Sequence, residues 1–321
     1  MSRLQSLLPY VSFSSAGTRN LWTNLFDFER DETAGEIIFF RLFELFIVGA
    51  TLYLAWSWGQ YITRISDIVL PLGIAIYVDV SFMFGNALPL INAGLISALA
   101  LAGFLRLSRY AYFAAFLLLH LQFATRYVLG EIPHSSNVLG MTLLGLSLAM
   151  LLFQNPRVRR RFTLGFTYFF IGLGYTIAAF CKFIGTGLFW SDGRHLWLWI
   201  HEKGIDGLAL RGTLDFNLLQ EVALASMTVA TLFLTIGLLS ELFAFLMWWR
   251  PLRTPLVLAV IGLHLGIYWI MDIMFTITFM QLILLALPWA VWIDRLVPDT
   301  AKRLLLRGAR GKRTRYAASP S

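Results

Sequence analysis

Apolar runs of membrane-spanning length alternate with short polar breaks along most of this chain. A transmembrane helix needs about 20 consecutive, mostly apolar residues. Eight stretches meet or approach that length: 36–58, 90–105, 110–128, 137–153, 162–184, 219–247, 254–272 and 274–294. A further apolar stretch, 67–89, reads "DIVLPLGIAIYVDVSFMFGNALP" and is broken by Pro71, Asp79, Gly85 and Pro89, which predicts a re-entrant or interfacial piece. The predicted fold class is all-α, a polytopic transmembrane helix bundle of about eight spans. Three regions follow: an interfacial N-terminal segment over 1–35, a membrane domain over 36–297, and a basic, disordered cytoplasmic tail over 298–321.

The cationic residues give an independent check on the span count, because alternate loops of a membrane protein carry the lysine and arginine excess. With eight spans, one side holds 19 of the 26 cationic residues, including Arg106, Arg109, the run Arg157 to Arg161, Arg250, Arg253 and the tail. The other side keeps Arg64, Arg126, Arg194, Lys203 and Arg211, while Arg41 and Lys182 fall within spans. That asymmetry places both termini in the cytoplasm, and one extra crossing at 67–89 would abolish it. The large outer segment is then 185–218, whose Trp190, Trp197 and Trp199 suit a membrane interface.

Composition agrees with a lipid solvent. The chain of 321 residues is 58% hydrophobic and 14% charged, with a mean hydropathy of +0.70. A net charge of +8 is accounted for by topology, so no nucleic-acid partner is predicted. Cys181 is the single cysteine, which excludes an internal disulfide framework, and no Cys/His spacing predicts a metal site. No repeat of 20–50 residues points to an inverted-repeat transporter.

Ionisable residues inside spans are costly and are usually paired or functional. Arg41, Glu44, His120, Lys182, Glu241 and His264 fall in this class, and His134 and Asn137 flank the start of the fourth span. Arg41 and Glu241 reach similar depths from the cytoplasmic side, which predicts a structural ion pair between them, with Glu44, one turn from Arg41, able to share it. His120 reads as structural. His264 is either a satisfied core histidine or part of a site. Lys182, in "TIAAFCKFIGTGLFWSDG", either snorkels to the outer interface or points inward, where desolvation yields a neutral amine that can accept a proton. A base of that kind suits an acidic, lipid-soluble substrate such as a hydroquinone.

"YTIAAFCKFIGTGLFWSDG" and the later "ELFAFLMWWRPLRTPLVLAVIGLHLGIYWIMDIMFTITFMQLILLALPW" resemble the HTTM domain family, which includes the vitamin K-dependent γ-glutamyl carboxylases. "FFRLFELFIVG" looks like that family's first span and "HSSNVLGMTLLGL" like the polar start of a middle helix. The resemblance covers roughly residues 36 to 296. It implies Lys182 as the base that deprotonates a reduced vitamin K-type quinone, here menaquinol, with His134 and His264 stabilising charge in the same cavity. Asn137, Tyr175, Trp190 and Gly193 are the substrate-binding positions it implies. In the carboxylases the oxygenated ring then removes a γ-proton from a peptide glutamate, which captures carbon dioxide. This chain departs from them in having Cys181 where they have a second lysine, and it has no large extracytoplasmic region after the last span.

"NLWTNLF" is similar to the small bacterial SdpB-type members, which act with partners to mature a secreted toxin peptide. The functional expectation is therefore a multi-pass protein of a bacterial inner membrane. It modifies or matures a peptide at the outer face, together with partner maturation proteins, through quinol-coupled proton abstraction at Lys182. The alternative is a non-enzymatic membrane partner in toxin-peptide maturation, assembly or immunity.

Overall fold

The computed structural model describes residues 20–65, 70, 72–130 and 134–306, with residues 134–136 and 188 described by backbone alone. Its elements are α1 (Leu21–Phe26), α2 (Ala34–Ile62), α3 (Leu88–Phe104), α4 (Ala111–Tyr127), α5 (His134–Leu152), α6 (Pro156–Thr186), α7 (Gly193–Arg211), α8 (Leu218–Ala225), α9 (Met227–Leu242), α10 (Arg250–Met271), α11 (Thr276–Ala286) and α12 (Trp289–Leu296). Short 3-10 turns join some of them, and the described residues contain no strand. The described residues are all-helical, as the apolar runs of spanning length predict. Four helical segments are long and apolar enough to cross a membrane: α2, α6, Met227–Trp248 and α10. The pair α11 and α12, bent by 60°, makes a fifth if counted as one span. Large apolar side chains on these helices face outward, among them Leu42 and Leu45 on α2 and Leu232 and Ile236 on α9. A belt of that kind belongs against lipid.

Two predicted spans are interrupted. The stretch 219–247 breaks at Ser226, whose extended backbone ends α8 and whose hydroxyl accepts from Val229 N–H to start α9. The stretch 274–294 breaks at Pro288, which lacks the N–H a continuing helix requires. Of 67–89, residues 67–69 and 71 lie outside the described residues. The rest forms two 3-10 turns, Gly73–Ile76 and Ser81–Met83, before α3 begins. The tail expected to be disordered is helical over 299–306; its remainder lies outside the described residues.

The chain divides into two compact units. One comprises 26–167 and 288–321. In it α2 opens on a capping box, with Thr33 Oγ1 accepting from Glu36 N–H and Glu36 Oε2 accepting from Thr33 N–H at 3.1 Å. The acidic lead-in and the basic start of α6 neutralise one another: Arg157 meets Asp31 at 3.0 Å, Arg160 meets Glu32, and Arg161, nearly buried, meets Glu36 at 3.6 Å. Helices α2 to α5 pack on one another in chain order, and α12 lies along α2. Polar side chains stitch them together, as is common where lipid removes the hydrophobic drive between helices. Gln122 Nε2 donates to Ala55 O at 3.0 Å and to Pro89 O at 3.1 Å, joining α4 to α2 and to α3.

The strongest polar knot of this unit is around Glu44, whose side chain is fully buried. Arg106 grips its carboxylate from two nitrogens, at 2.6 and 2.8 Å; Arg41 donates at 2.7 Å, and the Tyr112 hydroxyl donates at 2.7 Å. Arg106 reaches this position by closing a Schellman turn after α3. Its own N–H donates to Gly103 O and Leu107 N–H donates to Ala102 O, with Arg106 at φ 63°. Glycine normally takes that left-handed place, so the arginine accepts a backbone cost of about 1 kcal/mol and gains a bidentate ion pair. Glu44→Ala should therefore lower stability in detergent by about 3–5 kcal/mol, because it leaves two arginines facing each other without an anion. Arg106→Gly keeps the turn and should still destabilise. A neutral result for both, by thermal unfolding, would show that the knot contributes nothing.

Candidate functional site

The other unit, 1–25 and 168–287, contains Lys182, Glu241, Tyr175 and His264. Its outer helices are fixed by local signals. Asp192 caps α7 by accepting from Arg194 N–H at 3.0 Å, and the same carboxylate binds the Arg194 guanidinium. The Arg194 hydrogen bonds hold the Asp192 carboxyl down at about 2. A core of Leu196 and Ile200 (α7), Ala223 (α8), Ala230 and Leu234 (α9) and Ile270 (α10) ties α7 to the helices beneath it. Gly193 is part of this packing. A Cβ there would stand 2.8 Å from Ala230 Cβ, and its N–H donates to Thr231 Oγ1 at 2.9 Å.

Glu241 occupies the last turn of α9, where the helix gives way to the 3-10 turn Ala244–Trp248. Thr176 of α6 sits at that junction: its hydroxyl donates toward the carbonyls of Glu241 and Leu242 and accepts from Phe245 N–H at 3.1 Å. The end of a helix leaves carbonyls without intrahelical partners, and here a neighbouring helix supplies one. Gly172 allows the approach, since a Cβ would stand 3.1 Å from Ala244 O. Trp248 Nε1 donates to Phe169 O one turn further along.

This docking sets Glu241 against Lys182. The amine donates to Glu241 Oε2 in an ion pair, with the lysine side chain 26% exposed and the glutamate 8%. The Trp190 ring covers the ammonium, its centroid 4.4 Å from Nζ, in a cation–π contact. Tyr175 lies seven residues before Lys182 on the same face of α6. Its hydroxyl pairs with His264 Nε2 of α10. His264 is buried, Phe275 meets its ring edge-on, and its Nδ1 has no hydrogen-bond partner among the described residues. One face of α6 thus carries two such pairs, Tyr175–His264 and, seven residues on, Lys182–Glu241, and the buried His264 Nδ1 has no hydrogen-bond partner among the described residues.

The expected ion pair between Arg41 and Glu241 is corrected: Arg41 pairs with Glu44, and Glu241 pairs with Lys182. Matching depth along two helices was the only basis for that pairing, and depth leaves their faces unspecified. Lys182, Tyr175, His264 and Trp190 are brought together. Asn137, exposed on α5, belongs to the other unit, and the side chain of His134 lies outside the described residues. His120 stacks between Phe116 and Phe123 on α4. Sequence reasoning missed Glu241 as the partner of Lys182, and Arg106 and Tyr112 as partners of Glu44. The signal available for the first was that these are two opposite charges in apolar runs.

No protein-family model, curated protein or solved structure matches the chain. The site therefore stands on its geometry. A double-mutant cycle with Lys182→Met and Glu241→Gln should give a coupling of about 1–3 kcal/mol in detergent unfolding, each single variant being worse than the double. Additive single effects would mean that the two groups do not interact.

Proposed function

We propose that this is a multi-pass inner-membrane protein whose Lys182, Glu241, Tyr175 and His264 exchange protons with a lipid-soluble hydroquinone at the outer face, as part of maturing a peptide. The observation that carries this reading is that one face of α6 presents both Lys182, paired with Glu241 of α9, and Tyr175, paired with His264 of α10. On this reading the membrane region makes eight crossings, with α3, α4 and α5 as short spans that the bilayer accommodates by thinning. Both termini are cytoplasmic, which is what the lysine and arginine asymmetry favours, and the segment around 67–89 lies at the interface.

The residues fit a hydroquinone in one specific respect. His264 Nδ1 is a buried polar atom with no partner among the described residues, on a ring whose other nitrogen pairs with Tyr175. When bound, the hydroquinone supplies acidic hydroxyls and a reduced ring. Glu241 neutralises the Lys182 ammonium and keeps it in place, Trp190 covers it, and the Tyr175 hydroxyl orients the His264 imidazole. A proton taken up by the cluster is then held among groups of opposite charge. Carboxylation of the peptide, which the HTTM resemblance implies, and other peptide modifications would use the same residues.

A second reading is favoured by the same ion pair. Lys182 is matched in charge and covered by Trp190, as a helix-fixing residue would be, which suits a non-enzymatic partner in toxin-peptide maturation, assembly or immunity. Binding of short-tailed menaquinol to the full chain in nanodiscs separates the two. The enzyme reading predicts saturable binding, weakened about tenfold or more, ~1.4 kcal/mol, in the Lys182→Met/Glu241→Gln double variant, which leaves no charge unpaired. Absence of saturable binding, or equal binding by the double variant, rejects the hydroquinone reading.

A further inference from the structure

Helix α7 turns an apolar stripe outward. Leu198, Ile205 and Leu208 fall on one face at i, i+7 and i+10, and they are 67%, 64% and 45% exposed. The opposite face is committed: Leu196 and Ile200 enter the core shared with α8, α9 and α10, and Gly204 lies against Leu214 and Phe216. Asp192 caps the start of the helix, and Gly212, at φ 78°, donates its N–H to Leu208 O at 2.8 Å to close the end. The stripe is therefore carried by a rigid element. At 1.5 Å per residue it runs for about 15 Å, which matches about three turns of a partner helix.

Charge selects what covers it. Glu202 stands at the edge of the stripe, four residues after Leu198 and three before Ile205, and Asp206 follows one turn on. Lys203 is matched by Asp206 at 2.9 Å and Arg194 by Asp192 at 2.5 Å. Arg211 lies back over Gly207, on the packed face. The charge left beside the stripe is the Glu202 carboxylate. Residues 185–225 hold five acidic residues against three basic ones, a net charge of −2 in a chain of net charge +8.

Helices that lie on a lipid surface carry lysine and arginine beside their apolar face, and an anionic leaflet would repel this edge. An apolar stripe edged by carboxylate instead complements a helix that is apolar on one face and cationic beside it. Helix α1, into which residues 1–19 lead, docks at the other end of α10, where Asn24 O accepts from Arg253, while α7 packs at Ile270.

We propose that the Leu198, Ile205 and Leu208 stripe of α7, with Glu202 beside it, docks an amphipathic helix of a cationic secreted peptide. The apolar face of the peptide covers the stripe, and its lysine or arginine side chains meet Glu202. This rests on the reading of a peptide handled at the outer face, and not on the hydroquinone. Loss of menaquinol binding leaves it standing, and loss of peptide binding leaves the hydroquinone reading standing.

The full chain in phosphatidylcholine nanodiscs is titrated with a fluorescein-labelled leucine–lysine peptide patterned as an amphipathic helix of about five turns, and anisotropy is read against empty nanodiscs. Saturable binding above that of the empty discs is expected, about tenfold tighter than for a leucine–glutamate peptide of the same pattern. Glu202→Gln should weaken it about threefold, and Leu198→Gln or Ile205→Gln about tenfold, with menaquinol binding unchanged. Equal binding of the two peptides, or binding unchanged in Ile205→Gln, overturns the proposal. A dimer that Ile205→Gln dissolves, without peptide binding, assigns the stripe to a second copy and overturns it. A nitroxide at Ile205→Cys in a Cys181→Ser background that is reached by oxygen and shielded from a water-soluble nickel complex assigns the stripe to lipid and overturns it too. All three substituted side chains are exposed, so the variants should keep the parental thermal unfolding transition.

Discussion

A carboxylate buried among lipid-facing helices has to be met by a cation, because moving an unpaired charge out of water costs more than packing alone can return. Two glutamates impose that constraint here, one in each unit. Glu44 is fully enclosed and recruits two arginines and a tyrosine. Glu241, slightly exposed, recruits one lysine. Much of the helix placement around each is explained by how those partners are delivered.

The two solutions differ in what they leave available. Around Glu44 the carboxylate oxygens accept from Arg41, Arg106 and Tyr112. The backbone there even adopts a left-handed arginine to complete the set. Such a saturated knot fixes helices and has little capacity for chemistry. Around Glu241 the arrangement is more open: a partly exposed amine, a tryptophan ring, a tyrosine and a histidine with one free nitrogen. Polar groups that are only partly satisfied in a low-dielectric setting are where a ligand can add a hydrogen bond at little further desolvation cost.

Much of the fold was legible in the sequence, because runs of apolar residues are long and the bilayer prescribes their length. The capping box at Thr33 and the proline at the start of α6 follow known local rules. The break at Ser226 was not legible: a serine within an apolar run caps a helix only when tertiary contacts hold its backbone extended. The break at Pro288 was legible in principle, because a proline inside an apolar run marks a helix boundary. For the site, position within apolar runs singled out Lys182 and His264, whereas Tyr175 and Trp190 entered it only through the HTTM resemblance. Partner choice was not recoverable. Arg106 lies 62 residues from Glu44 and Glu241 lies 59 from Lys182, and one-dimensional depth cannot choose between faces of a helix.

The central claim is that Lys182 and Glu241 form an ion pair sheltered within the bundle. The most direct measurement is a nitrogen–carbon dipolar distance by solid-state NMR, from isotopically labelled Lys182 Nζ to Glu241 Cδ in lipid bilayers. A strong coupling at hydrogen-bonding range, unaffected by added salt, is the predicted result. An amine without that coupling, exchanging freely with bulk water at the head groups, would contradict it.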